Sequence, residues 1–291
     1  MPWGDGIPKI RCFSLTDIHD FESCPFRFFV RHNLERKAEI DDSSPSMALG
    51  TLLDESIKLF LTSNALSFGV DYLPNIINGA LAKMKYNVSE KGSRSFYYKH
   101  MDFINDEIVQ KANEVFKKYY EALDGKIKKS LGEVGFCEYV IDCEDGKLKF
   151  WGGPDTFELG DDGVPEVVDY KYHENPERGV SRLDMDLMPK MYILLSAKKL
   201  QDKGYSKARF VVRQWSQPTD DSLWEDFDLT ELDSISERLK SKVQKILESK
   251  DLSFCEKSFC RACKSEKRVE YIKQLEDKKM INLSADVLYT P

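Results

Sequence analysis

Gly152-Gly153-Pro154-Asp155-Thr156-Phe157-Glu158-Leu159, Gly160-Asp161-Asp162-Gly163 and Val164-Pro165-Glu166-Val167-Val168-Asp169-Tyr170-Lys171-Tyr172 follow one another without a break. The first segment, led by Gly and Pro, predicts a tight turn into a strand. The second is a polar turn, and the third, rich in Val and Tyr, predicts a second strand. The pair is a hairpin with Asp155 on its first arm and Asp169 and Lys171 on its second. Residues two apart on a strand share a face, so Asp169 and Lys171 project together and Asp155 can face them across the ladder. Hard carboxylate oxygens at this density suit Mg²⁺ or Mn²⁺. One such ion, or two roughly 4 Å apart, polarises a phosphodiester and acidifies a bound water. Lys171 would position that water or offset charge growing on the phosphate.

The cysteines supply a second pattern. Of seven, Cys24 stands near the start in Phe21-Glu22-Ser23-Cys24-Pro25-Phe26-Arg27, and Cys255, Cys260 and Cys263 form C-x4-C-x2-C near the end. No apolar leader opens the sequence and no apolar run approaches the roughly 20 residues of a membrane span, so a reducing, cytoplasmic compartment is expected. In such a compartment clustered cysteines hold metal more often than they form disulfides. Four thiolates suit Zn²⁺ or an iron–sulfur cluster. Cys12, Cys137 and Cys143 lack such spacing and read as ordinary buried thiols.

The chain has 291 residues, enough for one large domain, and a net charge of −7, which says little about a local groove. One stretch concentrates the opposite sign: Lys83, Lys85, Lys91, Arg94, Tyr97, Tyr98, Lys99 and His100. Basic residues interleaved with Phe96, Tyr97 and Tyr98 suit a single strand of nucleic acid, with bases stacked on the rings. The sequence has no low-complexity tract or repeat, and no G-x-x-x-x-G-K-[ST] loop, so a helicase motor would be a separate chain.

Periodicity predicts helices over Leu15–Phe29, Leu49–Phe60, Asn75–Lys85, Phe103–Leu123, Asp186–Asp202 and Leu229–Lys250. Strands are predicted over Val134–Ile141, Lys147–Trp151, Thr156–Leu159, Glu166–Lys171 and Ala208–Trp215. Met188, Met191, Tyr192, Leu194 and Leu195 form an apolar stripe expected to be core. The expected organisation is a single α/β domain over 1–291. It would comprise a helical part (1–130), a mixed-sheet core flanked by helices (131–220), and a C-terminal helix with the cysteine-cluster segment (221–291).

These motifs, in this order, resemble the RecB-like branch of the PD-(D/E)XK nucleases, of the iron–sulfur type that includes the AddB nuclease domain and the CRISPR-associated spacer-trimming exonucleases. Phe13-Ser14-Leu15-Thr16-Asp17 through Cys24-Pro25-Phe26-Arg27 is similar to the first motif, whose cysteine binds the cluster. Gly50-Thr51-Leu52-Leu53-Asp54 is similar to the next, a glycine followed four residues later by a metal-binding histidine. Glu138, Asp155, Asp169 and Lys171 fall at the strand glutamate, first aspartate and D/E-x-K, and Tyr192 at the tyrosine of Q-x-x-x-Y. The resemblance spans about Ser14 to Cys263 and implies a restriction-endonuclease-like core. It further implies metal at Asp54, Glu138, Asp155 and Asp169, catalysis by Asp155, Asp169 and Lys171, and a 4Fe–4S cluster on Cys24, Cys255, Cys260 and Cys263.

Three positions depart from the pattern. Asp54 replaces the histidine, which makes the site harder and more charged. Met188 stands where the glutamine falls and cannot act as an amide. The family spacing C-x2-C-x5-C fits Cys260 and Cys263 but places Val269 third, leaving Cys255 to supply the remaining sulfur. The resulting expectation is a Mg²⁺- or Mn²⁺-dependent deoxyribonuclease acting on single-stranded or duplex DNA ends, with Tyr192, Arg94, Tyr97 and Lys99 touching substrate. A helicase, recombination or CRISPR integrase protein would be its partner. The alternative is a catalytically impaired DNA-binding or scaffolding protein that keeps the fold.

Overall fold

The computed structural model describes residues 10–34, 43–63, 68–92, 95–123, 130–132, 137–143, 146–172, 182–217, 224–249, 253–255 and 260–277. The chain divides into two compact units. One comprises 1–42, 136–152 and 231–291, and the other 43–135 and 153–230.

In the first unit, β1 (Ile10–Phe13), β2 (Cys137–Cys143) and β3 (Gly146–Gly152) form a mixed sheet in the order β1-β3-β2. β1 runs parallel to β3, and β2 antiparallel to it. The expected single helix over Leu15–Phe29 is two helices, Leu15–Ser23 and Pro25–Asn33, broken at Cys24. The physical cause is Pro25, whose ring disfavours helical backbone at the preceding residue. Cys24 is extended (φ −162°, ψ 93°) and serves both helices. Its N–H closes the first on Asp20 O, and its Sγ accepts from Arg27 N to open the second. Ser14 and Asp17 form a capping box at the start of the first helix. The charged C-terminal helix spans Asp233–Glu248.

In the second unit, β4 (Thr156–Leu159), β5 (Pro165–Lys171), β6 (Lys207–Gln214) and β7 (Trp224–Asp228) form a mixed sheet in that order. β4 and β7 are antiparallel to their neighbours, and β5 is parallel to β6. Parallel neighbours need a crossover, supplied by the Arg182–Gln201 helix. β5 is buried along nearly all its length, so it is covered on both faces. Val168, Tyr170, Val211 and Trp215 pack into a core with Leu49, Leu52, Leu53, Ile57 and Phe60 of the Pro45–Thr62 helix. Helices Leu73–Lys91 and Asp106–Ala122 complete it with Ile76, Ile77, Ala80, Phe116 and Tyr119. Each fully buried Leu, Ile or Phe contributes about 1.5–3 kcal/mol. Of the predicted stripe, Met188, Met191, Leu194 and Leu195 are buried and Tyr192 is half-buried.

β1 and β7 had no prediction. β7 (Trp-Glu-Asp-Phe-Asp) lies at the edge of its sheet and is charged, so it lacks the apolar signature of an inner strand. The predicted strand over Val134–Ile141 begins at Cys137 among the described residues. No described helix is long and apolar enough to cross a membrane.

Candidate active site and cysteine centre

Asp155 stands one residue before β4. Its backbone N–H donates to Val168 O (2.9 Å), and its Oδ2 accepts the backbone N–H of Tyr170 (2.8 Å). The hairpin therefore closes on the carboxylate itself. Asp169 and Lys171 project from one face of β5 as their spacing predicts, with Lys171 Nζ 2.6 Å from Asp169 Oδ2. Burial pushes Asp169 up to about 6. Lys171 opposes that shift and Asp155 adds to it. Burial alone would lower Lys171, but Asp169, Tyr192 and Asp155 together hold it protonated well beyond its ordinary range.

The Pro45–Thr62 helix brings Asp54 to the same place. Burial, then the Asp155 carboxylate, push Asp54 well above its ordinary value, while Lys58 and Lys171 pull the other way. Its Oδ1 is buried without a hydrogen-bond partner. Three carboxylates whose charges oppose one another, Asp169 buried and Asp54 and Asp155 half-buried, with one orphaned oxygen on Asp54, are the donor set a divalent cation satisfies. The residues present therefore fit Mg²⁺ or Mn²⁺. At Gly50 of this helix an added Cβ would lie 3.7 Å from Tyr172 Cβ, an ordinary contact, so available room does not demand the motif's glycine.

Sequence reasoning missed Lys58. It lies one turn after Asp54, and its Nζ is 3.0 Å from Asp155 Oδ1 and 3.7 Å from Glu55 Oε1. The i, i+4 spacing from Asp54 was the available signal. Glu55 is buried and takes Lys83 Nζ at 2.8 Å. Burial and a hydrogen bond with Glu55 raise the Tyr97 phenol. Tyr97 and Lys83, from the predicted nucleic-acid stretch, thus meet the helix that carries Asp54. Lys99 is half-buried on the short Tyr98–Met101 helix, and Phe96 and Tyr98 are 68% and 50% exposed. Arg94 lies outside the described residues.

Tyr192 stacks near Phe210 (centroids 5.9 Å apart). Burial and Asp169 raise its phenol, which marks its nearness to the carboxylates. Met188, one turn earlier, is buried. Glu138 belongs to the first unit, where it lies on β2 with its side chain 53% exposed and paired with Lys149 Nζ at 2.5 Å.

Behind the site, the opposite face of β5 carries a buried polar network. Tyr170 OH and Thr156 Oγ1 both donate to Glu158 Oε1, at 2.9 and 2.8 Å. Arg213 Nη2 reaches Glu158 Oε2 at 3.3 Å and Glu166 Oε2 at 2.5 Å. Tyr170 therefore serves the site through its backbone and this network through its ring.

In the first unit the four predicted cysteines converge, all four sulfurs lying within 4.8 Å of one another. Cys24 Sγ is 3.4 Å from Cys263 Sγ and 3.9 Å from Cys260 Sγ, and Cys255 Sγ is 3.9 Å from Cys263 Sγ. Burial, then neighbouring thiols, push Cys263 up, an opposition that a shared cation removes. The donor set fits a soft metal centre. Phe254 stacks on Phe26 at 4.7 Å beside it.

Sheet, crossover helix and carboxylate–lysine hairpin define an α/β protein with a candidate cation site. The sequence profile of the PD-(D/E)XK nuclease superfamily matches residues 12–268, spanning both units, and the chain belongs to that superfamily, whose nucleases use divalent metals. No curated protein matches the chain. Among solved structures, the crystal structure of SSO0001 is similar at 12% identity over 81% of this chain and 92% of that one, with a TM-score of 0.29. That of Scheffersomyces stipitis Rai1 in complex with (3'-NADP)+ and calcium ion is similar at 11% identity over 91% and 70%, with a TM-score of 0.23.

Proposed function

We infer that the chain is a Mg²⁺- or Mn²⁺-dependent deoxyribonuclease of the RecB-like type, acting as an exonuclease on single-stranded DNA ends. The observation that carries this reading is the convergence of Asp54, Asp155 and Asp169 with Lys171, close enough that their charges shift one another's protonation. The three carboxylates would hold the cation, which supplies an acidified water and polarises the scissile phosphate. Lys171, held protonated by its neighbours, orients that water or takes up charge at the phosphate. The Tyr170 N–H fixes Asp155, so the carboxylate need not reorganise during reaction. Single-strand preference rests on exposed Phe96 and Tyr98 beside the lysines of the same stretch. Recombination, repair or CRISPR spacer acquisition are the settings this chemistry serves, with a helicase or integrase as a separate partner.

The four cysteines act as a metal staple joining distant parts of one unit. The RecB-like resemblance supports a 4Fe–4S cluster there. The sulfur spacing favours a second reading, a single Zn²⁺. Four thiolates around one ion at about 2.3 Å stand roughly 3.8 Å apart, whereas a four-iron cluster seats each thiolate on its own iron. Brown protein absorbing near about 400 nm supports the cluster, and colourless protein carrying zinc supports the ion.

Incubation of end-labelled single-stranded DNA with Mn²⁺ tests the nuclease. The wild type should shorten it and Asp155→Asn should not. Full activity in Asp155→Asn removes the catalytic assignment. Binding without shortening by the wild type would favour the scaffolding alternative, for which buried Met188 at the glutamine position is the supporting observation.

A further inference from the structure

Lys58 Nζ lies between two carboxylates, 3.0 Å from Asp155 Oδ1 and 3.7 Å from Glu55 Oε1. We propose that Lys58 is a built-in second cation: its ammonium takes the place of a second metal ion, so that the site binds one divalent ion rather than two. The inference rests on the nuclease reading of the same site and deepens it.

Oxygen valence supports it. A carboxylate offers about four lone-pair sites. At Asp155 the Tyr170 N–H takes one on Oδ2 and Lys58 takes one on Oδ1. One site is left on each oxygen, and an ion taking the one on Oδ1 would stand beside the Lys58 ammonium and be repelled by it.

Charge supports it too. Glu55 is matched by Lys83 at 2.8 Å. That leaves the carboxylates of Asp54, Asp155 and Asp169 facing the ammoniums of Lys58 and Lys171. Once a bound cation holds all three ionised, three negative charges against two positive leave a net single negative charge. One divalent ion brings the site to a single positive charge, matched to one phosphodiester, whereas two would leave three positive charges facing it. Lys58 is also anchored from behind, with Glu55 Oε1 3.7 Å away on the same helix. As a fixed ammonium it would face charge growing on the scissile phosphate opposite Lys171.

Equilibrium Mn²⁺ binding to the full chain without DNA, read from the electron paramagnetic resonance of free Mn²⁺, tests this. The wild type should bind one ion that Asp169→Asn removes. Lys58→Met, which keeps the length and loses the charge, should bind two. Lys58→Arg, which keeps the charge, should bind one, and this guards against simple damage to the helix. Two ions on the wild type, or unchanged number and affinity in Lys58→Met, overturn the proposal and leave the nuclease reading standing. Absence of binding in the wild type overturns both.

Discussion

The backbone N–H of Tyr170 donates to Asp155 Oδ2 across the hairpin, while the Tyr170 hydroxyl donates to Glu158 on the far face of the sheet. One residue thus ties the Asp155 carboxylate to a buried ion network. Asp155→Asn and Lys171→Ala should each lower the rate of strand shortening by at least about 10²-fold, the scale of one electrostatic contact at a reacting centre. Circular dichroism should be unchanged for Asp155→Asn, because an amide oxygen still accepts the Tyr170 N–H.

Metal affinity should rise with pH. Asp169 titrates near 6 in the folded protein, above the roughly 3.9 of an unfolded aspartate. Between those values the native state holds the extra proton, so this group's contribution to stability is present below about pH 4 and lost as pH rises through about 6. A cation requires the carboxylate ionised and recovers that loss. The rise in melting temperature caused by Mn²⁺ should be larger at about pH 7.5 than at about pH 5, and equal rises would contradict the assignment.

Cys24→Ser separates two roles of one side chain. Serine can still cap the Pro25–Asn33 helix but removes a sulfur from the four-cysteine set. Metal content by elemental analysis should fall to near zero, and melting should drop by roughly 10 °C, a few kcal/mol at about 2–4 °C each. Retained metal would mean that Cys24 is not a ligand.

Arg213→Met should destabilise the second unit by about 3–5 kcal/mol in urea unfolding, because it leaves Glu158 and Glu166 buried without their cation. A loss under about 1 kcal/mol would show that the two glutamates take up protons at little cost.

Phe96→Ala and Tyr98→Ala should weaken single-stranded DNA binding by roughly 5- to 100-fold each, as loss of about 1–3 kcal/mol of base stacking requires. Fluorescence anisotropy with a catalytically silent Asp155→Asn background measures this, and unchanged affinity would place the strand elsewhere.

Much of the site was legible because its signals are local. The period of two placed Asp169 and Lys171 together, the polar turn placed Asp155 opposite them, and the family resemblance at Gly50-Thr51-Leu52-Leu53-Asp54 pointed to Asp54. Cys255, Cys260 and Cys263 stood out by their spacing, and the same resemblance joined Cys24 to them. Lys58 was not, since its partner Asp155 is nearly a hundred residues away and nothing local distinguishes it from a solvated helix lysine. The break at Cys24 was written in Pro25, but the strong apolar period on both sides of it masked the signal. β7 escaped because its alternating charges resemble a loop, and its place depends on pairing with β6.

Neighbouring residues of β5 look in opposite directions, Asp169 toward Asp155 and Lys171 and Tyr170 toward Glu158 and Arg213. Displacing that strand by a single position would turn the acid into the hydrophobic interior and the phenol into the cleft, spoiling both sides at once. The tight Gly160–Val164 connection, closed by Gly160 N–H to Val164 O at 2.9 Å, is therefore a poor place for an epitope or a linker.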